Sequence, residues 1–200
     1  MTDTNSEASQ VAPDTRSGLF RAISLAGETI VGVTPADLES GTPCPDYNVR
    51  QLVRHMIAVL HRLPVAVSGG NPFSLPSLAN DVPDTHQIAA WNDAASAAKT
   101  AWSAPDALER MCNLGFVTLP GIAAAVTYTT EITLHTWDLA RATGQRPTWD
   151  PAVLAPSLGA MRHAVPAEPR GGMVPFGPVV TVGADAPPIN QLVGWYGRQP

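Results

Sequence analysis

Apolar residues return every third or fourth position in several long windows of this chain, the period of amphipathic helices, and proline, glycine and short polar residues separate the windows. Leu19, Ile23, Ala26 and Ile30 define the first helix, which runs to Val33. Thr34 and Pro35 then read as an N-cap and first residue of a short turn, PADLES. Pro43 and Pro45 forbid helix around them. Beyond Asp46 or Asn48 as a cap, Val49, Leu52, Val53, Met56 and Leu60 share one face of a second long helix. The stretch from Ser68 to Thr85 is rich in Gly, Pro, Ser and Asn, too long for a tight connection, and reads as a crossing over the end of a bundle. Ile88, Trp91, Ala95, Ala98 and Trp102 stripe a third helix over 86–102, and a helical turn follows in PDALERMC. The longest window, IAAAVTYTTEITLHTWDLARATG, starts at Pro120 or Gly121 and ends where Gly144 supplies a left-handed cap. A fifth, shorter helix runs from Asp150 and Pro151 to about His163, and a last one lies in APPINQLVGWYG. Residues 115–119 and 178–182 are β-branched runs too short for helices, and they are expected as short strands paired with each other. The sum is a mainly α fold: an antiparallel four-helix bundle with short additional helices and a small β element.

Composition narrows the function more than the fold. With 200 residues, 44% of them hydrophobic, the chain can bury a core. Residues 1 to about 15 are polar, carry Pro13 and lack any period, so a disordered N-terminal tail is expected before a single domain over 16–200. No run of about 18 apolar residues occurs, and the first residues show neither a basic region nor an apolar core, so the expectation is a cytoplasmic protein with no membrane partner. A net charge of -5 with no basic cluster argues against nucleic acid. Cys44 and Cys112 make neither a metal-binding pair nor a disulfide framework.

The chemistry therefore falls to histidines and carboxylates. Glu131 and His135 lie four apart on the long helix, so both side chains leave one face and can meet at one ion. His55, between Val53 and Met56, leans toward the apolar seam of the second helix and reaches the pair if the two helices are neighbours. Three such ligands leave a coordination position open, as in a catalytic zinc site. The competing reading is a hydrogen-bonded Glu and His that only fix helix packing. His61, His86 and His163 read as surface residues. Asp138 either orients His135 or pairs with Arg141 on the helix surface, the latter being simpler. Cys44 reads as a small buried residue between two prolines, with a reactive thiolate at a helix start as the alternative. Trp91, Trp102 and Trp137 read as core or pocket wall.

Two runs carry a resemblance. TPCPDYNVRQLVRHM resembles the T-P-C-x-x-W-x-V-R-x-L-x-x-H word of actinobacterial DinB/YfiT-like proteins, and EITLHTWDLARATGQ resembles their E-x-x-x-H-x-W-D-L-A-x-A-T-G word. These proteins are related to the N-terminal domain of mycothiol-dependent maleylpyruvate isomerase. The ending FGPVVTVGADAPPINQLVGWYGRQP is similar to that group's tail, so the resemblance spans Thr42 to Pro200. It implies a DinB-like four-helix bundle holding a divalent metal, usually zinc or nickel, with His55, Glu131 and His135 as ligands. Tyr47 stands where the group often has Trp. The residues after Gly144 are too few for the long C-terminal domain of the isomerase, so that particular reaction is not implied.

Three functions are compatible with these residues. In the first, a transferase or isomerase uses a small thiol, by resemblance mycothiol, and the ion holds the sulfur as thiolate for attack on an electrophilic substrate. Arg54 and Arg141, with Arg50, would supply donors to the thiol at the pocket mouth, and the 68–85 loop with Phe73 and Leu75 would form a lid. In the second, a hydrolase uses the same ion to activate water. In the third, the protein binds a metal or ligand without turnover, as a homodimer through exposed helix faces.

Overall fold

The computed structural model describes residues 14–172 and 174–200. The expected tail lies outside the described residues as far as Pro13. Thr15, at the end of that stretch, is buried, and its hydroxyl donates to the Ile122 carbonyl at 3.1 Å.

Among the described residues six helices form: α1 (Arg16–Val31), α2 (Val49–Val67), α3 (Gln87–Trp102), α4 (Gly121–Ala142), α5 (Pro151–Ala164) and α6 (Pro188–Trp195). Of the two candidate caps for α2, Asn48 serves. Its Oδ1 accepts from the Gln51 amide at 2.9 Å while Gln51 Oε1 accepts from the Asn48 amide at 3.1 Å, a reciprocal capping box. Pro64 does not stop this helix, which continues to Val67. Asp150 caps α5, and Gly144, at φ 69°, turns the chain out of α4 as expected.

Helices α1 to α4 form a closed ring of neighbours in the order α1, α4, α2, α3. Their directions differ from the antiparallel expectation. Thr15 meets Ile122 at the start of α1 and α4, and Gln145 Nε2 donates to the Thr29 carbonyl at their far ends, so α1 and α4 run parallel. Trp102 Nε1 donates to the Leu63 carbonyl, and Asp84, just before α3, bonds Arg50 and Arg54 near the start of α2, so α2 and α3 are also parallel. The cause is the 68–85 connection. Instead of crossing one bundle end, it returns along α2, with Leu75 and Pro76 against Arg62, Ser77 against His55 and Ala79 against Arg54. Two 3-10 turns, Pro72–Ser74 and Asp84–His86, bracket it.

The small sheet is also rearranged. Strands β1 (Met111–Asn113) and β2 (Thr118–Pro120) pair antiparallel, Cys112 opposite Leu119, as a hairpin between α3 and α4. Part of PDALERMC is thus strand, with turns only over its first residues. Residues 178–182 are extended but form no strand; Val180 donates one bond to the Gly194 carbonyl. Their β-branched residues lie against α6 without a strand partner. Ile88, expected on the inner stripe of α3, is exposed, and Gln87 turns inward to Asp84.

The main core fills the ring, with Trp102, Ile23, Leu52 and Leu60 fully buried. A second apolar cluster forms on the outer side of α4, where Leu134 and Trp137 meet Leu154, Met161, Leu192, Val193 and Tyr196 of α5 and α6. Helix α4 therefore packs on two sides, which fixes its position for the residues it presents to α2.

Candidate metal centre

Because α2 and α4 are neighbours, His55 on the first meets Glu131 and His135 on the second. One donor atom from each of the three lies within 4.8 Å of the others. The two imidazoles stand edge to face with centroids 5.0 Å apart, and His55 Nε2 lies 3.8 Å from Glu131 Oε1.

Each histidine is oriented through its other nitrogen. His55 Nδ1 is 2.9 Å from the Ser77 carbonyl, which can only accept, so Nδ1 donates there and Nε2 faces Glu131. Tyr47 stacks on the same ring, centroids 4.8 Å apart and 26° between planes. His135 Nδ1 is 3.2 Å from Asp138 Oδ2. Asp138 is fully buried and receives Arg198 on both oxygens, Nε at 3.2 Å and Nη2 at 2.9 Å. It pairs with His135 and Arg198, not with Arg141 as the simpler expectation had it.

The electrostatics follow. Burial pushes the Glu131 carboxyl upward, but the neighbouring His55, His135 and Arg62 side chains outweigh it and hold the group below the usual range. Asp138 is likewise held low: burial opposes ionisation, and His135 and Arg198 overcome it. Cys44 is buried as expected, and burial pushes its thiol up, against the thiolate alternative. Its Sγ nevertheless lies within ligand reach of His135 and Asp138. Arg198 already occupies both Asp138 oxygens, so the His55, Glu131 and His135 group is the better cation site.

The other candidates disperse. Arg54 is bonded to Asp84 at 3.2 Å, and exposed Arg141 lies over the Trp137 ring at 5.7 Å; neither hydrogen-bonds to the three converging residues. His61, His86 and His163 are exposed. Trp91, Trp102 and Trp137 are buried. Two further residues, Arg62 and Arg198, stand near the three without being evident from spacing. Arg62 lies seven positions beyond His55 and so returns to the same helix face within about 20°. Arg198 sits in the terminal GRQP of the tail that carries the resemblance, far in sequence from the residues it meets.

A helical bundle that gathers two histidines and a glutamate from neighbouring helices at one point belongs to the DinB-like class. The family model for the mycothiol maleylpyruvate isomerase N-terminal domain matches residues 20–140, and the chain belongs to that family. Two uncharacterized proteins of Mycobacterium tuberculosis, from strains CDC 1551 / Oshkosh and H37Rv, are each 28% identical over 178 residues, covering 89% of this chain and 94% of theirs. Solved structures of the mycothiol-dependent maleylpyruvate isomerase and of a mutant of it share the fold. Their TM-scores are 0.55 and 0.54 at 16% identity, over 74% of this chain and 69% of theirs.

Proposed function

We propose that the protein is a divalent-metal-dependent transferase or isomerase that uses a small thiol, mycothiol by kinship, with His55, Glu131 and His135 as metal ligands. The observation that carries the metal reading is the orientation of both histidines. Ser77 and Asp138 each take an Nδ1, which leaves Nε2 of both rings for the shared point beside Glu131. Two neutral imidazoles and one carboxylate fit zinc or a related ion and leave a position free for a sulfur. When bound, the ion supplies stabilisation of a thiolate at neutral pH.

The chain's own residues hold this arrangement. Tyr47 covers one face of His55, and the Asp138 and Arg198 pair keeps His135 from turning. Glu131 and the histidines act as ligands, and none is left to serve as a general base. Kinship to proteins described by mycothiol dependence supports the thiol. The cytoplasm, where such thiols are kept reduced, is the proposed location; no described helix is long and apolar enough to cross a membrane.

The test is cobalt-substituted protein titrated with mycothiol, followed by absorption. Sulfur ligation should add a charge-transfer band in the parent and in Cys44→Ser, and none in His135→Ala. An unchanged spectrum in the parent overturns the thiol role. Hydrolysis of an ester or amide panel by that same protein would replace it with metal-assisted hydrolysis.

A further inference from the structure

Among the described residues, Arg62 is a cation beside the candidate centre that no carboxylate pairs with. It stands on the His55 face of α2, about 10 Å further along the axis. The carbonyls that it bonds, those of Leu75 and Pro76, directly precede Ser77, whose carbonyl meets His55 Nδ1, so the guanidinium lies against the loop that borders the candidate centre. Nη2 is tied down by the carbonyls of Leu75 at 3.1 Å and Pro76 at 3.0 Å, and the group lies 5.4 Å from the centre of the Phe73 ring. Nε is buried without a partner, and among the described residues the only hydrogen bonds of Arg62 run from Nη2. A guanidinium held in place through Nη2, with Nη1 unpaired and open to solvent, can receive an anion in a charge-assisted hydrogen bond.

The surroundings say what carries the anion. Phe73, stacked on Arg62, is 55% exposed, and Phe116, its neighbour at 6.4 Å, is 72% exposed. The β1–β2 hairpin and the 68–85 loop thus hold two bare aromatic rings beside a free cation. We propose that Arg62 anchors a carboxylate on the substrate, and that the substrate's remainder is an apolar aryl or alkyl body laid against Phe73 and Phe116. A small diacid would leave both rings uncovered. What happens to this substrate rests on the metal-centre reading, but the anchor does not require the ion.

That difference makes the two separable. The full chain, zinc-loaded and chelator-treated, is titrated with 3-phenylpropionate and with its primary amide, 3-phenylpropionamide, by calorimetry. The parent should bind the acid at least about tenfold more tightly than the amide in both forms, as a charged hydrogen bond exceeds a neutral one. Arg62→Gln should abolish the preference, leaving amide binding within about twofold. Arg62→Lys should restore part of it. Raising salt from about 0.02 to about 0.5 M should weaken the acid alone, a reading that needs no variant. Failure of the parent to bind the acid, equal affinity for acid and amide, or a preference retained in Arg62→Gln would each overturn the proposal. So would a preference that disappears on chelation but survives Arg62→Gln, since the carboxylate would then sit on the ion. Failure to bind zinc would instead sink the metal reading, with the Arg62 preference still legible in metal-free protein.

Discussion

Asp138 is a buried carboxylate held between an imidazole and a guanidinium, and its replacement separates charge from shape. Asp138→Asn keeps the volume and an acceptor for His135 Nδ1–H but leaves Arg198 buried beside a neutral amide. Breaking one side of such a pair costs about 3–5 kcal/mol. Urea unfolding should show that loss, while Arg141→Ala, on an exposed side chain, should stay within about 0.5 kcal/mol. A small effect of Asp138→Asn would mean that the pair is not formed in solution. The same residues show what the sequence made legible. Glu131 and His135 could be read together because one helix fixes their spacing, and His55 could be added because its position on an apolar seam gives its direction. Arg198 could not, because it reaches Asp138 across 60 residues only once the C-terminal segment has folded onto α4.

At the scale of elements, two joints support the site. Gly121 opens α4 where the chain passes the end of α3, and a Cβ there would meet the Ala107 carbonyl oxygen at 1.9 Å. Gly121→Ala should therefore cost more than the roughly 1–3 kcal/mol of ordinary overpacking, because backbone and not a flexible side chain must move. Chemical denaturation checks this, and a neutral effect would contradict the packing. The second joint is the α5–α6 cluster. Burial raises the Tyr196 phenol from 10.0 to about 12 in the folded protein, so below pH 10 both states are protonated and stability is full. Between pH 10 and about 12 the folded chain keeps a proton that the unfolded chain loses, and stability should fall by about 1.4 kcal/mol per pH unit. Tyr196→Phe should remove that part of the slope in unfolding series at pH 9 to 11; an unchanged slope would place the phenol in water. Helix windows were readable because their period and caps are local. Helix direction was not, since the course of the 68–85 loop depends on contacts with Arg54, His55 and Arg62 that no local pattern encodes. The 178–182 run failed as a strand for the same reason: β-branched residues need a neighbouring edge, and the fold offers them α6.

For the whole molecule, the ring of four helices sets α2 against α4, and the C-terminal helices brace α4 from behind, so His55, Glu131 and His135 converge from two elements. If the proposed centre holds an ion, replacing any one of the three should empty it and leave the bundle folded, since the cores on either side do not depend on it. The most direct measurement is the metal content of protein purified without added metal, for the parent, His55→Ala, Glu131→Gln, His135→Ala and Cys44→Ser. The expected result is about one tightly held divalent ion per chain in the parent and in Cys44→Ser, and none in the other three, with far-UV circular dichroism unchanged throughout. A parent that holds no ion and takes up no zinc, or variants that keep it, would contradict the assignment of His55, Glu131 and His135.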